Sequence, residues 1–112
     1  MIVRMYTGPD NQTHIEEMPL PPPEMERTPF QNTDGIQFRR FPAGDFMDWH
    51  PAPRRQYVIT LEGNVEIGLG DGTVRRFGPG DVVLAEDLTG QGHTTRVVGD
   101  GPRVTATIPV VE

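Results

Sequence analysis

The 112-residue sequence predicts an all-β domain whose strands roll up into a closed double sheet or barrel, and three observations carry that expectation. Short runs of apolar residues recur at regular intervals, about eight or nine of them, each bounded by turn-forming residues. No segment keeps helical periodicity over the roughly ten residues that a helix requires. Glycine (13) and proline (12) are both abundant, which suits tight turns and disfavours a helix bundle. An open sheet of that length leaves two faces and two edges bare. Rolling it up buries one face and hides the edges.

Taken in order, residues 2–6 alternate like a strand closed by Thr7-Gly8-Pro9-Asp10, and residues 14–18 form a short extended piece. Leu20-Pro21-Pro22-Pro23 then imposes polyproline-like geometry, because each ring fixes φ and removes a backbone donor. Residues 1–34 thus read as a first strand plus a proline-rich arm. The arm either packs on the barrel or a neighbouring subunit, or runs as a mobile surface tail. Residues 35–112 read as the barrel proper. Its strands are expected at 36–41, 45–50, 56–62, 65–69, 73–77, 82–85, 93–98 and 103–110. Gly70-Asp71-Gly72 is a strong hairpin signal, and Gly78-Pro79-Gly80-Asp81 and Gly99-Asp100-Gly101-Pro102 mark further turns.

The net charge of −6 and pI of about 4.9 disfavour nucleic acid and anionic membrane surfaces as partners. Without cysteine there are no disulfides and no thiolate metal ligands. The first residues lack the apolar run of a secretory leader and no stretch is long enough to span a bilayer, so the expected location is cytoplasmic.

Residues 44–102 carry a pair of motifs. Gly44 is followed by five residues and His50; Ala52 comes two residues later, Gln56 next, and Gly63 closes the run. Further on, Gly80-Asp81 opens a hydrophobic strand that leads, through a lengthened loop, to His93. This pattern resembles the small single-domain cupins of the RmlC-like superfamily, with a degenerate first motif. Ala52 stands where that family has a second histidine, Gln56 where it has glutamate, and Glu86 where it has the proline of the second motif. The resemblance implies a cupin-type antiparallel β-barrel, also described as a double-stranded β-helix or jelly roll. It further implies a divalent transition metal (Zn, Fe, Mn, Ni or Cu) on His50, Gln56 and His93, with no organic cofactor.

Two imidazoles and an amide are neutral, so such a site binds an ion less tightly than one with a carboxylate and keeps positions open for a substrate. Gln56 cannot take up a proton. A general base is therefore sought in Asp48, which by strand alternation shares a face with His50, or in Glu86 and Asp87 of the lengthened loop. For those last two, a solvated turn is the competing reading. Alternation also puts Gln56 on one face with Val58 and Thr60. Arg54 and Arg55 either hold a substrate carboxylate or pair with surface acids. Trp49 and Tyr57 are expected to pack in the core or at a subunit contact, and His14 to be a solvated surface residue.

Three functions follow: a metal-dependent lyase, isomerase or cyclase acting on a carbonyl-bearing small molecule; a cupin dioxygenase; or a non-catalytic small-molecule-binding or accessory protein. Without a metal, the two histidines serve as acid, base or hydrogen-bond donors, or simply pack. A homodimer is expected in each case.

Overall fold

A computed structural model describes residues 1–111 and forms ten strands. They are β1 (Ile2–Thr7), β2 (Thr13–Glu17), β3 (Gln37–Phe41), β4 (Phe46–His50), β5 (Gln56–Glu62), β6 (Asn64–Gly68), β7 (Val74–Phe77), β8 (Val82–Glu86), β9 (His93–Val98) and β10 (Arg103–Pro109). Among the described residues there is no helix, and so none that is long and apolar enough to cross a membrane.

The glycine-marked turns do what their sequence predicts. Between β6 and β7, Leu69 donates its amide to the Thr73 carbonyl, Gly72 takes a φ of 88°, and the Asp71 carboxylate accepts from the Thr73 amide. β6 and β7 are therefore locked as a local hairpin.

The strands form a six-stranded sheet in the order β2-β1-β8-β5-β10-β3 and a four-stranded sheet in the order β4-β9-β6-β7. Neighbours run antiparallel except β1 and β8, which are parallel, with Ile2 opposite Val82. Val3, Met5, Val83 and Ala85 from the larger sheet share one buried cluster with Val65, Ile67 and Phe77 from the smaller, so the inner faces of the two sheets pack on each other. Residues 2–17 are integral to the larger sheet. Further along the N-terminal segment, Thr33 bridges to Val110, and Asp34 and Val111 exchange main-chain bonds with Pro109 and Asn32. The packed cluster does not fill the space between the sheets. A cavity of about 430 Å³ remains, lined from both sides.

Candidate functional site

β4 ends on His50 and β9 begins on His93, and the two residues are cross-strand partners. Gly92, at a φ of 76°, is what permits this: a β-carbon there would run into the His50 carbonyl and the Pro51 nitrogen. The imidazole rings lie 4.5 Å apart between centroids, tilted by 55°. Both line the cavity.

Each ring is held by its Nδ1. That of His50 lies 2.7 Å from the Asp48 carbonyl oxygen, which can only accept, so Nδ1 carries the proton and Nε2 presents a bare lone pair. His93 donates Nδ1–H to the Asp87 carboxylate at 2.7 Å, again freeing Nε2. Asp87 is completely buried; its Oδ2 also accepts from the Thr13 hydroxyl at 2.8 Å, while Oδ1 has no partner among the described residues. The Asp87 carbonyl takes the Ala52 amide, tying the Pro51–Pro53 segment to the same loop.

Gln56 lines the cavity from the opposite sheet together with Val58, in the alternation expected. Ala52, buried, also faces the cavity, so the position that has lost a histidine contributes only space.

The three acids singled out as bases are not in the cavity wall. The register of β4 against β9 shifts between Met47 and His50, so simple alternation fails across that stretch. Met47 points into the cavity with His50, and Asp48 is exposed, its carboxylate accepting from the Trp49 amide. The expectation that Asp48 shares a face with His50 is thereby corrected. Glu86 lies on the outer face of β8, between Arg4 (2.8 Å) and Arg55 (2.9 Å). Asp87, its chain neighbour, sits behind His93 and touches that ring rather than the cavity.

Of the two arginines at the mouth, Arg54 reaches the cavity rim, whereas Arg55 belongs to the outer ion cluster with Glu86. Trp49 is 42% exposed and so is not core in this chain; the Tyr57 hydroxyl donates to Gln31. His14 is on the outer edge strand, against Asp10 and stacked on Tyr6.

Three charged residues of the cavity wall escaped the sequence reading: Arg39, Asp45 and Arg103. For Arg103 the signal was there, since Arg103, Thr105 and Thr107 alternate along β10 and all three line the cavity. Arg103 is only 8% exposed. Its Nη2 donates to the Thr60 hydroxyl at 3.1 Å, and its Nε is buried without a partner. Loss of water pushes its pKa down to about 10.

Two histidines with tied-off Nδ1 atoms have the arrangement that fixes the tautomer and aim of a metal-ligating imidazole. Among the described residues no group of three or more His, Cys, Asp or Glu side chains converges, so a metal here would draw on His50, His93 and the Gln56 amide. Two imidazoles and an amide lining one cavity are donors of the type that suits a weakly held ion.

No family model and no curated protein matches the sequence. Solved structures do. A double-stranded β-helix protein from Klebsiella pneumoniae superposes with a TM-score of 0.53 at 20% identity, over 81% of this chain and 82% of that one. A cupin domain from Bordetella pertussis gives a TM-score of 0.53 at 17% identity, over 74% of this chain and 93% of that one. Peruvianin-I, a cysteine peptidase from Thevetia peruviana latex, is 25% identical over 65% of this chain, which spans about half (47%) of its length; the TM-score is 0.49 and no argument rests on it. The chain shares the all-β fold of the Klebsiella pneumoniae and Bordetella pertussis proteins, a cupin-type double-stranded β-helix.

Proposed function

Starting from a cupin-type barrel with two histidines side by side at one end of its cavity, we propose that this protein is a metal-dependent lyase, isomerase or cyclase acting on a carbonyl-bearing small molecule. The observation that carries this reading is the pair of Nδ1 atoms, each tied to an oxygen, on rings 4.5 Å apart. His50, His93 and Gln56 would hold the ion. When bound, it supplies Lewis acidity toward a carbonyl or enolate oxygen.

The chain's own part is positional. Asp87 and the Asp48 carbonyl fix the two rings, Gly92 brings their strands together, and Ala52 leaves room for a guest beside them. Val58, Val83 and Ile67 give the guest an apolar wall to pack against.

The test is metal uptake by protein without a histidine tag, followed by cobalt absorption and by elemental analysis. The native protein should take up one equivalent. His50→Ala and His93→Ala should each lose at least about tenfold in affinity, and Gln56→Ala less. Full metal content in both histidine variants would end this reading.

A second reading is favoured by one contact, the 2.7 Å bond from His93 to buried Asp87. A histidine so oriented can act as a general base at Nε2 with no ion present. Turnover that survives exhaustive chelation but is lost in His93→Ala would select it over the first.

A further inference from the structure

The protein as a whole is acidic, with a net charge of −6, yet its cavity is not. Arg39, Arg54 and Arg103 line it, against a single carboxylate, Asp45. Asp45 is not within ion-pair distance of any of the three. Arg39 and Arg54 are exposed at the rim and can draw anions inward. Arg103 is different: it is 8% exposed, and of its three guanidinium nitrogens only Nη2 has a hydrogen-bond partner among the described residues, the neutral Thr60 hydroxyl.

A buried guanidinium is normally paired, because removing its hydration without a counter-charge is strongly unfavourable. Here the surroundings are Phe41, 5.7 Å from the guanidinium carbon to the ring centroid, and the hydroxyls of Thr60 and Thr105, both almost fully buried. None of these carries a negative charge. The vicinity supplies a cation, hydroxyl donors and an apolar wall, which together match a carboxylate attached to a hydrocarbon chain.

The Arg103 backbone also stands away from the histidines. Val97 is four residues beyond His93 on β9, or roughly 13 Å along the strand. Val97 pairs with Val65, two residues from Gly63, whose missing side chain lets the Pro102–Arg103 backbone close in. The backbone at Arg103 therefore enters the cavity wall several residues along the strands from the histidine pair.

We propose that the part of the cavity at Arg103 is an anion subsite, and that the ligand is an oxo-acid whose carboxylate rests on Arg103 while its carbonyl extends to His50 and His93. The assignment of the carbonyl end rests on the function proposed above; the assignment of the carboxylate end rests on Arg103 alone.

The experiment uses levulinate and its homologues with one and two further methylenes, each compared with its neutral primary amide. Binding is read by calorimetry and by the guanidinium Nε–H resonances of the intact protein. The acids should bind at least tenfold more tightly than the amides and shift the Arg103 resonance. Arg103→Met should erase the acid-over-amide preference. Should that variant not fold, Arg103→Gln takes its place, and the acid-over-amide comparison on the native protein stands without any variant. The His50→Ala/His93→Ala double variant should keep the preference, which separates this subsite from the reading of the histidine pair. Equal binding of acid and amide, an undiminished preference in the Arg103 variant, or no binding of any of the acids would each overturn the proposal.

Discussion

On the outer face of the six-stranded sheet, Arg4 reaches Glu16 and Glu86 at 2.8 Å each, and Arg55 reaches Glu86 at 2.9 Å. On the inner face of the same sheet, Arg103 has one bond to a neutral hydroxyl and no carboxylate among the described residues. Where water is present and screening is strong, the chain has closed its charges against each other. Where water has been removed and an unmatched charge is most costly, it has left one open. Folding alone gains nothing from that arrangement. The contrast identifies the interior as a place arranged around something other than its own stability.

The sharpest probe of that contrast is the buried acid. Asp87→Ala removes the acceptor of both the His93 ring and the Thr13 hydroxyl in a fully buried position. A loss of about 3 kcal/mol is expected in urea unfolding. A loss under about 1 kcal/mol would mean that the Asp87 network does not brace the interior.

A second probe predicts the opposite sign. Arg103→Met replaces an uncompensated buried cation with an apolar side chain of similar length, so stability should hold or rise by about 1–2 kcal/mol. The same variant is the one expected to lose the acid-over-amide preference, and that opposition of stability and binding is the signature of a residue kept for its ligand. Destabilisation by more than about 2 kcal/mol would instead make Arg103 a structural brace. The smallest effect belongs to the outer wall. Arg4→Met, at a side chain 36% exposed, should cost less than about 1 kcal/mol, and less still in high salt.

How much of this could be read from the chain alone depends on how local the signal was. The strands were legible because glycine and proline punctuate them, and even Gln56 took its predicted face, since β5 pairs with β8 without a slip. Asp48 was misplaced for a local reason of the opposite kind. A register shift next to His50 breaks the two-residue alternation, and such shifts leave no mark in composition. Glu86 and Asp87 are neighbours sent to opposite faces, so the general statement that acids occupy this loop could not distinguish a surface ion pair from a buried ring partner. Asp45 and Arg103 lie outside the histidine motif; the alternation of Arg103, Thr105 and Thr107 along β10 marks one face of that strand, but it does not say that this face lines the cavity. Burial without a partner is a property of the packed molecule and has no counterpart in the sequence.

The parallel pairing of β1 with β8 has a consequence for how the molecule assembles. β1 can pair with its neighbour β2, but Ile2 meets Val82, and Val3 and Met5 are core residues, so its other edge and its buried face stay unmatched until residues 82–86 are available. The β6–β7 hairpin, closed by a turn of a few residues, needs no such wait. Assembly should therefore run from the middle of the chain outward, with a slow final stage in which the first strand zips onto the eighth. During that interval the seam beside β8 is open, and the apolar side chains of β1 are bare to solvent and to other chains.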